Sequence, residues 1–305
     1  MTLQELRYIV ALADAGNFQR AAQICHISQP TLSQQVKKLE DYLGVTLFDR
    51  SRRRVAPTQV GERIVKSARL VIEEAGRIRD TAREGLDPMS RTLHLGVIPT
   101  LGPYFLPRVL GPIHRTHRGL RLLLREEFTD TLLDKLESGA LEAALIALPA
   151  ERDGLHAEPL FDEPFYAALP REHVLAKARQ VELREFSRQS VLLLEEGHCM
   201  RDQALEICGR KADYNDEIKA TSLETLRQMV GLGVGCTLLP ALAVNGTSVK
   251  ARRNAVAIRP FRNPAPSRRI GLVWRQRSSA ERTLLTLAAT MRANLPAGVT
   301  AVAAR

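Results

Sequence analysis

Two cysteines nine positions apart carry the most distinctive chemistry of this chain. Cys199 follows Gly197 and His198 at a point where the sequence predicts the start of a helix. A thiol at a helix N-terminus gains thiolate character, and an imidazolium at His198 or the charge of Arg201 would add to it. The two glutamates that precede Gly197 act against thiolate formation, so the geometry of the site decides the balance. A thiolate attacks a peroxide to give a sulfenic acid, which a second thiol converts to a disulfide. Cys208 is available for that second step.

The spacing of the two cysteines has a structural consequence. If residues 199–208 form one helix, the sulfurs lie ~13.5 Å apart along the axis and on opposite faces. A disulfide needs Cα atoms within about 7 Å, so its formation would unwind the helix and remodel the domain. The alternative is that both cysteines are small buried hydrophobes.

Two further alternatives concern the same residues. A zinc site of His198, Cys199 and Cys208 lacks a convincing fourth ligand nearby, and a thiol–disulfide enzyme would be expected to carry a Cys-x-x-Cys motif. Cys25, on the apolar face of a predicted helix, and Cys236, at a predicted strand start, are expected to be buried and outside the reactive pair. The sequence shows no secretory signal and no membrane-spanning run, so we expect a cytoplasmic protein with reduced thiols.

Composition and charge narrow the class of protein. The 305 residues are 45% hydrophobic and 26% charged, which is typical of a soluble chain of two or three domains. The net charge of +10 suggests a polyanionic partner such as nucleic acid. Residues 250–305 hold 12 Lys or Arg and one acidic residue. We attribute that excess to solvated surface arginines, because the pattern for nucleic-acid binding lies at the other end.

Three short helices are predicted at the N-terminus. Apolar residues recur at three- and four-residue steps over residues 2–15, Asn17 caps a second helix, and Ser28 caps a third that begins at about Gln29. A short turn between the second and third helices is typical of a helix-turn-helix, in which amides and hydroxyls read bases while cations hold phosphates. A helical bundle with a solvated basic loop is the alternative. The candidate DNA contacts are Ser28, Gln29, Pro30, Thr31, Ser33, Gln34, Lys37, Arg50, Arg52 and Arg53.

A long helix is predicted after this module. From Thr58 to Gly85 apolar residues recur close to a heptad, which predicts ~28 residues spanning roughly 42 Å. We expect this helix to pair with a second copy, with packing against its own chain as the alternative. Residues 85–91 then form a hinge.

These N-terminal motifs are similar to a known family. The resemblance is to the winged helix-turn-helix of LysR-type transcriptional regulators, and it covers about 60 residues without a gap. It implies a DNA-binding dimer, usually assembled as a tetramer, with a C-terminal effector domain. The matching motifs are Phe18–Ala22, Ser28–Ser33, Lys38–Glu40, Leu43–Gly44, Leu47–Phe48 and Thr58–Gly61.

The remaining chain alternates predicted strands and helices, which indicates an α/β fold with a mostly parallel sheet. Thr100 and Thr129 follow the first two strands, where open α/β sheets bind ligands, although simple helix capping is the alternative. Predicted strands include 93–98, 120–125, 143–148, 165–169, 191–194, 236–239 and 269–274, and predicted helices include 104–116, 130–137 and 281–293.

The C-terminal motifs resemble the peroxide-sensing branch of the LysR family, and the resemblance runs nearly the whole chain. The motifs are Gly197–Ala204 with Cys208, Ala220–Arg227 and Thr237–Ala243. The resemblance implies that Cys199 reacts with peroxide and that Cys208 resolves it. It also implies that Thr100, Thr129 and His198 hold peroxide and that Arg268 supplies positive charge, with Arg269 as the alternative.

The predicted architecture is α+β overall. A winged helix-turn-helix over 1–58 precedes a dimerisation helix and hinge over 59–90. A periplasmic-binding-protein-like α/β regulatory domain follows over 91–305, and the resemblance implies two subdomains, 91–163 with 268–300 and 164–267.

The predicted function is a regulator, not an enzyme, that senses peroxide and controls antioxidant genes. A LysR-type regulator of a small metabolite, with structural cysteines, is the alternative. Expected partners are promoter DNA, hydrogen peroxide, further copies of the chain as a dimer of dimers, RNA polymerase, and a thiol reductant such as glutaredoxin or thioredoxin. No cofactor, metal or membrane is expected.

Overall fold

The computed structural model of the chain describes residues 1–49, 55–82, 89–150, 152–209, 214–244 and 255–303. These residues divide into two compact units, one built on Met1–Pro88 and one on Met89–Leu136 with Leu141–Arg305. None of the helices described is long and apolar enough to cross a membrane.

The three predicted N-terminal helices are confirmed. They are α1 (Leu3–Ala15), α2 (Phe18–Ile24) and α3 (Gln29–Leu43). Each begins at a side chain that accepts a hydrogen bond from the first helical turn, since Thr2, Asn17 and Ser28 accept from the amides of Glu5, Arg20 and Thr31. Leu6, Leu12, Leu32 and Leu39 are among the residues of the shared core.

A two-stranded wing follows α3. Strand β1 (Phe48–Asp49) pairs antiparallel with β2 (Ala56–Pro57), and the Glu40 carboxylate accepts hydrogen bonds from the amides of Leu47 (2.7 Å) and Phe48 (3.2 Å). Glu40 therefore ties α3 to the wing. The candidate DNA contacts Arg50, Arg52 and Arg53 lie outside the described residues.

The long helix α4 covers Gln59–Ala82, and its predicted end at Gly85 lies outside the described residues. Val65 and Ala68 are buried in the same core as α1, so one face of α4 packs against its own chain. The alternative, packing against its own chain, therefore holds for this face, while pairing with a second copy stays a prediction. A second set of apolar side chains on α4 remains exposed: Val60, Leu70, Val71 and Ile78.

The second unit begins with the predicted parallel strands. They are β3 (Thr92–Val97), β4 (Arg121–Glu126) and β5 (Ala143–Leu148), joined by α5 (Gly102–Thr116) and α6 (Thr129–Glu137). Strand β3 pairs parallel with both β4 and β5. A helix crossover between parallel strands explains this arrangement.

The rest of the second unit contains one long strand and several shorter elements. These are β6 (Leu155–Pro170), a 3₁₀ turn at Val174–Lys177, α7 (Leu183–Phe186), β7 (Val191–Leu194), α8 (Cys199–Cys208), β8 (Tyr214–Ala220), α9 (Leu223–Gly231), β9 (Thr237–Pro240), α10 (Ala241–Val244), β10 (Val256–Pro260), β11 (Ser267–Arg275), α11 (Glu281–Ala293) and β12 (Thr300–Ala301).

The main sheet has the order β10-β6-β11-β5-β3-β4, with β9 and β12 also paired to β6. The predicted mostly parallel sheet was wrong, because every pairing of β6 and β11 is antiparallel. Strand β11 runs between β5 and β6, so the consecutive strands β5 and β6 are not neighbours.

Two hydrophobic clusters lie within this unit. The first surrounds β3, β5 and α11, and the second surrounds β7, β9 and α9. Strand β6 passes through both, since Phe161 belongs to the first cluster and Phe165 to the second. Strand β6 therefore connects the two halves.

Candidate functional site

The two candidate reactive cysteines are the first and last residues of α8, and both are free thiols. Cys199 packs against the first hydrophobic cluster, whereas Met200, Ala204 and Cys208 belong to the second. The sulfurs thus occupy different environments at opposite ends of one helix, as the nine-residue spacing predicts.

The backbone before Cys199 fixes where the helix starts. Gly197 has φ +97°, in the region that favours glycine, and His198 is extended and caps the helix without a side-chain hydrogen bond. A Cβ at Gly197 would lie 3.0 Å from the Phe128 ring. The His198 carbonyl accepts a hydrogen bond from the Arg201 amide (2.9 Å). Cys199 is therefore held in the first turn of α8.

Burial decides the protonation of the Cys199 thiol. Its removal from water raises the pKa of Cys199, while the guanidinium of Arg268 and the hydroxyl of Thr129 act to lower it and the Asp202 carboxylate adds to the rise. The sequence leaves the balance between thiol and thiolate open, and desolvation outweighs the local charges in favour of the thiol. In this state Cys199 is a protonated thiol beside a cation.

The expected cation at His198 or Arg201 was wrong. Burial lowers the pKa of His198, so the imidazole is neutral near pH 7. Its ring packs against Phe128 in a T-shaped arrangement with 4.7 Å between centroids. The Arg201 guanidinium donates to the carbonyl of Leu194 (3.2 Å). Arg268 is the cation that acts on Cys199.

Arg268 is buried by specific partners. Its Nε donates to the Glu163 carboxylate (2.8 Å), Nη1 donates to the Thr100 hydroxyl (2.9 Å), and Nη2 donates to the Thr100 carbonyl (3.1 Å). The neighbouring Arg269 points to solvent and pairs with Asp162. Of the two arginines that the sequence offers, Arg268 is the one near Cys199.

Several buried polar atoms around Cys199 form no hydrogen bond of ordinary geometry with the described residues. They are Thr129 Oγ1, both ring nitrogens of His198, and Gln203 Oε1. Thr129 is the first residue of α6, and its hydroxyl still lies close enough to Cys199 to act on the pKa of the thiol. The backbone of Thr221 acts in the same way on the pKa of His198. Unpaired polar atoms in a buried site can bind a small polar molecule. Hydrogen peroxide is of that kind.

The pKa values of the other three cysteines are shifted by burial alone. Burial raises the pKa of both Cys208 and Cys236 to about 11, and it also raises the pKa of Cys25. Among the described residues, no cation acts on these three thiols as Arg268 acts on Cys199.

The candidate DNA contacts of α3 lie on its open side. Ser33 is half-buried, and the remainder are exposed: Ser28, Gln29, Pro30, Thr31, Gln34 and Lys37. The Ser28 hydroxyl caps the helix and lies 2.7 Å from the Thr31 hydroxyl, so Ser28 has a structural role as well.

Three residues at the site escaped the sequence analysis. Glu163 pairs with Arg268, Phe128 contacts His198, and Gln203 turns an unpaired oxygen inward. The one sign of Glu163 in the sequence is an acidic residue among the apolar residues of β6. Its partner Arg268 is 105 positions away, so the sequence alone does not reveal the pair. Within the described ranges, no group of three His, Cys, Asp or Glu side chains could hold a metal ion.

Two family models match the chain. The LysR substrate binding domain covers residues 87–296, and the bacterial regulatory helix-turn-helix protein of the lysR family covers residues 3–62. The DNA-binding transcriptional dual regulator OxyR of Escherichia coli K12 is 43% identical over 296 residues, or 97% of this chain and 96% of that protein.

Solved structures give the same relationship. A full-length OxyR variant of Pseudomonas aeruginosa has a TM-score of 0.84 at 42% identity and covers 96% of this chain and 95% of that one. A Corynebacterium glutamicum OxyR mutant with H2O2 bound has a TM-score of 0.66 at 33% identity, covering 96% and 92%. The chain belongs to the LysR family of transcriptional regulators and, within it, to the OxyR group of hydrogen peroxide-inducible gene activators.

Proposed function

We propose that this regulator responds to hydrogen peroxide through Cys199, and that a Cys199–Cys208 disulfide changes its binding to promoter DNA. One observation carries the proposal. Cys199 lies among buried polar groups that include Arg268 and Thr129, whereas its potential partner Cys208 is held in a different cluster. One end of α8 can react while the other end is protected.

The first chemical step is attack of the Cys199 thiolate on one oxygen of H2O2. The O–O bond breaks, sulfur gains one oxygen as a sulfenic acid, and the other oxygen leaves as hydroxide, which takes up the thiol proton to form water. Arg268 stabilises the thiolate and the departing hydroxide. Thr100, Thr129 and His198 are the groups that we propose to hold the peroxide.

The second step joins the two sulfurs. The Cys208 sulfur attacks the sulfenic sulfur of Cys199, the S–O bond breaks, and water leaves with the thiol proton. Nine residues of helix separate the sulfurs by ~13.5 Å along the axis, so α8 must unwind first. At least one sulfur must also leave its hydrophobic cluster. The disulfide therefore changes the packing of both halves of the regulatory unit.

The DNA-binding role rests on the N-terminal helices. Helix α3 exposes amide, hydroxyl and ammonium groups, which are the groups that read base edges and hold phosphates in a helix-turn-helix. We extend this role to Arg50, Arg52 and Arg53 of the wing. The similarity to the peroxide-bound C. glutamicum protein supports the assignment of peroxide as the signal.

The assembly and its partners follow from the same proposal. The exposed apolar side chains of α4, such as Leu70 and Ile78, support pairing with a second copy, and we propose a dimer of dimers. RNA polymerase would read the DNA-bound tetramer, and a thiol reductant such as glutaredoxin or thioredoxin would reset it. The proposed domains are 1–58, 59–90 and 91–305. In the regulatory domain, one proposed subdomain comprises 91–163 and 268–300, and the other comprises 164–267. We propose that the protein acts in the cytoplasm.

One observation favours a second candidate function. Burial raises the pKa of both Cys199 and Cys208, which is also the property of inert structural cysteines. A LysR-type regulator of a small metabolite would then use the same polar site without thiol chemistry.

A peroxide titration separates the two candidates. We would treat the reduced protein with one to five equivalents of H2O2 and search its tryptic digest for a linked Cys199–Cys208 peptide. The C199S variant and the C236S variant serve as controls. The proposal predicts the linked peptide in the parent and in C236S but not in C199S. Unmodified cysteines in the parent would favour the metabolite regulator.

A further inference from the structure

Strands β6 and β11 place two acid–arginine pairs side by side with opposite orientations. In their antiparallel register Glu163 faces Arg268 and Asp162 faces Arg269. Successive residues of a strand point to opposite faces. Glu163 and Arg268 accordingly have fully buried side chains, whereas Arg269 and Asp162 are 49% and 35% exposed.

Both oxygens of Glu163 are used. Oε2 accepts from Arg268 Nε and lies 2.8 Å from Nη2, and Oε1 accepts from the Leu242 amide (2.8 Å). Leu242 belongs to α10, so Glu163 ties β6 to both β11 and α10. A neutral amide side chain has a single acceptor oxygen and could not satisfy both donors.

These contacts also orient the guanidinium. Arg268 has five N–H donors. Three of them donate to Glu163 and Thr100, one from each guanidinium nitrogen, and Nη2 also lies 2.8 Å from the Glu163 carboxylate. Arg268 is the cation that acts on Cys199. The Glu163 carboxylate thus fixes the position of the Arg268 guanidinium and compensates its positive charge beside the Cys199 thiol.

We propose that Glu163 is a positioning residue for the peroxide reaction, which orients Arg268 and limits how strongly its charge acts on Cys199. This inference rests on the proposed function. Without the Glu163 charge, Arg268 would stay buried between Thr100 and Cys199 with its charge uncompensated. The thiolate would then become more favourable while the guanidinium lost its fixed orientation.

The test compares E163Q with the matched control D162N in the full-length protein. The pH profile of Cys199 alkylation by iodoacetamide, read on the Cys199 peptide, gives a midpoint. Stopped-flow oxidation by H2O2 at high pH gives the limiting rate constant of the thiolate. For E163Q we expect the midpoint to fall by about one pH unit and the limiting rate constant to drop at least fivefold. For D162N we expect neither to change.

Opposite movement of the two measurements is the signature of positioning when the Cys208 peptide of E163Q keeps its parental alkylation midpoint. A general loss of structure would expose both thiols and lower the midpoint of Cys208 as well as that of Cys199, because burial raises both pKa values. A midpoint and a limiting rate constant in E163Q that match the parent would overturn the inference.

If E163Q does not fold, E163D replaces it. That variant keeps the charge, so its midpoint should match the parent while its limiting rate constant falls, and a parental rate constant would overturn the inference. A parent protein in which peroxide leaves Cys199 unmodified would refute the proposed function itself.

Discussion

Cys199 and Cys208 begin and end the same ten-residue helix, and each packs against a different hydrophobic cluster of the regulatory unit. The helix therefore keeps the two sulfurs apart in the reduced state. A disulfide between them is incompatible with α8 as it stands. If the proposed disulfide forms, the oxidation state of these two thiols therefore determines whether α8 stays folded.

The Cys208→Ser change should separate peroxide reaction from remodelling. Cys199 alone suffices for attack on peroxide, so the variant should form a sulfenic acid that persists or oxidises further. Only the disulfide forces α8 to unwind. Far-UV circular dichroism should show loss of helix on oxidation of the parent and much less in C208S.

The control for this experiment is C236S, because Cys236 lies in the same cluster as Cys208 but outside α8. It should respond as the parent does. Equal spectral changes in C208S and the parent would mean that sulfenic acid formation alone drives the switch.

Gly61 should be required where α4 meets the wing. A Cβ at this position would lie 2.0 Å from the Leu47 carbonyl oxygen, a backbone atom that cannot move aside. The G61A change should lower the free energy of unfolding by about 1–3 kcal/mol. Chemical denaturation measures this loss.

Gly76 provides the matched control, since it lies in the same helix and a Cβ there meets nothing within 4 Å. G76A should be neutral or stabilise the protein by up to about 1 kcal/mol. A G61A variant as stable as the parent would contradict the close approach of Gly61 to the Leu47 carbonyl.

Stability should fall as the pH rises above about 9. The pKa values of Cys208 and Cys236 are about 11 in the folded protein, above the ordinary value of 9.0. The folded state therefore keeps protons that the unfolded state has released between these values, and unfolding becomes easier as the pH rises. Each thiol contributes on the order of 2 kcal/mol that is present below pH 9 and lost near pH 11.

The C236A variant isolates one of these contributions. Its free energy of unfolding should decline less steeply between pH 9 and pH 11 than that of the parent, although its stability at pH 7 is lower because of the deleted sulfur. Parallel pH profiles for the two proteins would contradict the raised pKa of Cys236.

Sequence reasoning identified features set by neighbouring residues. The caps at Asn17 and Ser28 and the start of α8 at Cys199 depend on a few positions and were predicted at the correct residues. The mostly parallel sheet and the cation at His198 or Arg201 were wrong, because strand order and burial depend on distant contacts. The insertion of β11 beside β6 and the burial of α8 are set by tertiary packing, which also hid the pairing of Glu163 with Arg268.

Recognition of DNA should divide between α3 and the wing. Changing Gln29 or Thr31 to Ala should relax base preference by ~1 to 3 kcal/mol for each lost base contact. Changing Arg52 or Arg53 should instead weaken binding to all sequences and reduce its salt dependence. Fluorescence anisotropy with specific and scrambled DNA at several salt concentrations distinguishes these effects. Variants of the C-terminal arginines, such as Arg252 and Arg253, should have little effect on affinity, and a large effect would move the DNA contact to that segment.

The most direct test of the account is a pair of footprints on one promoter, made with the fully reduced protein and with the same sample after H2O2. The parent should protect different stretches of DNA in the two states, because the proposed Cys199–Cys208 disulfide would remodel the regulatory unit. C199S should bind the promoter and give the reduced pattern before and after peroxide. Identical footprints for reduced and oxidised parent, or a peroxide-dependent change in C199S, would contradict the claim that these thiols control DNA binding.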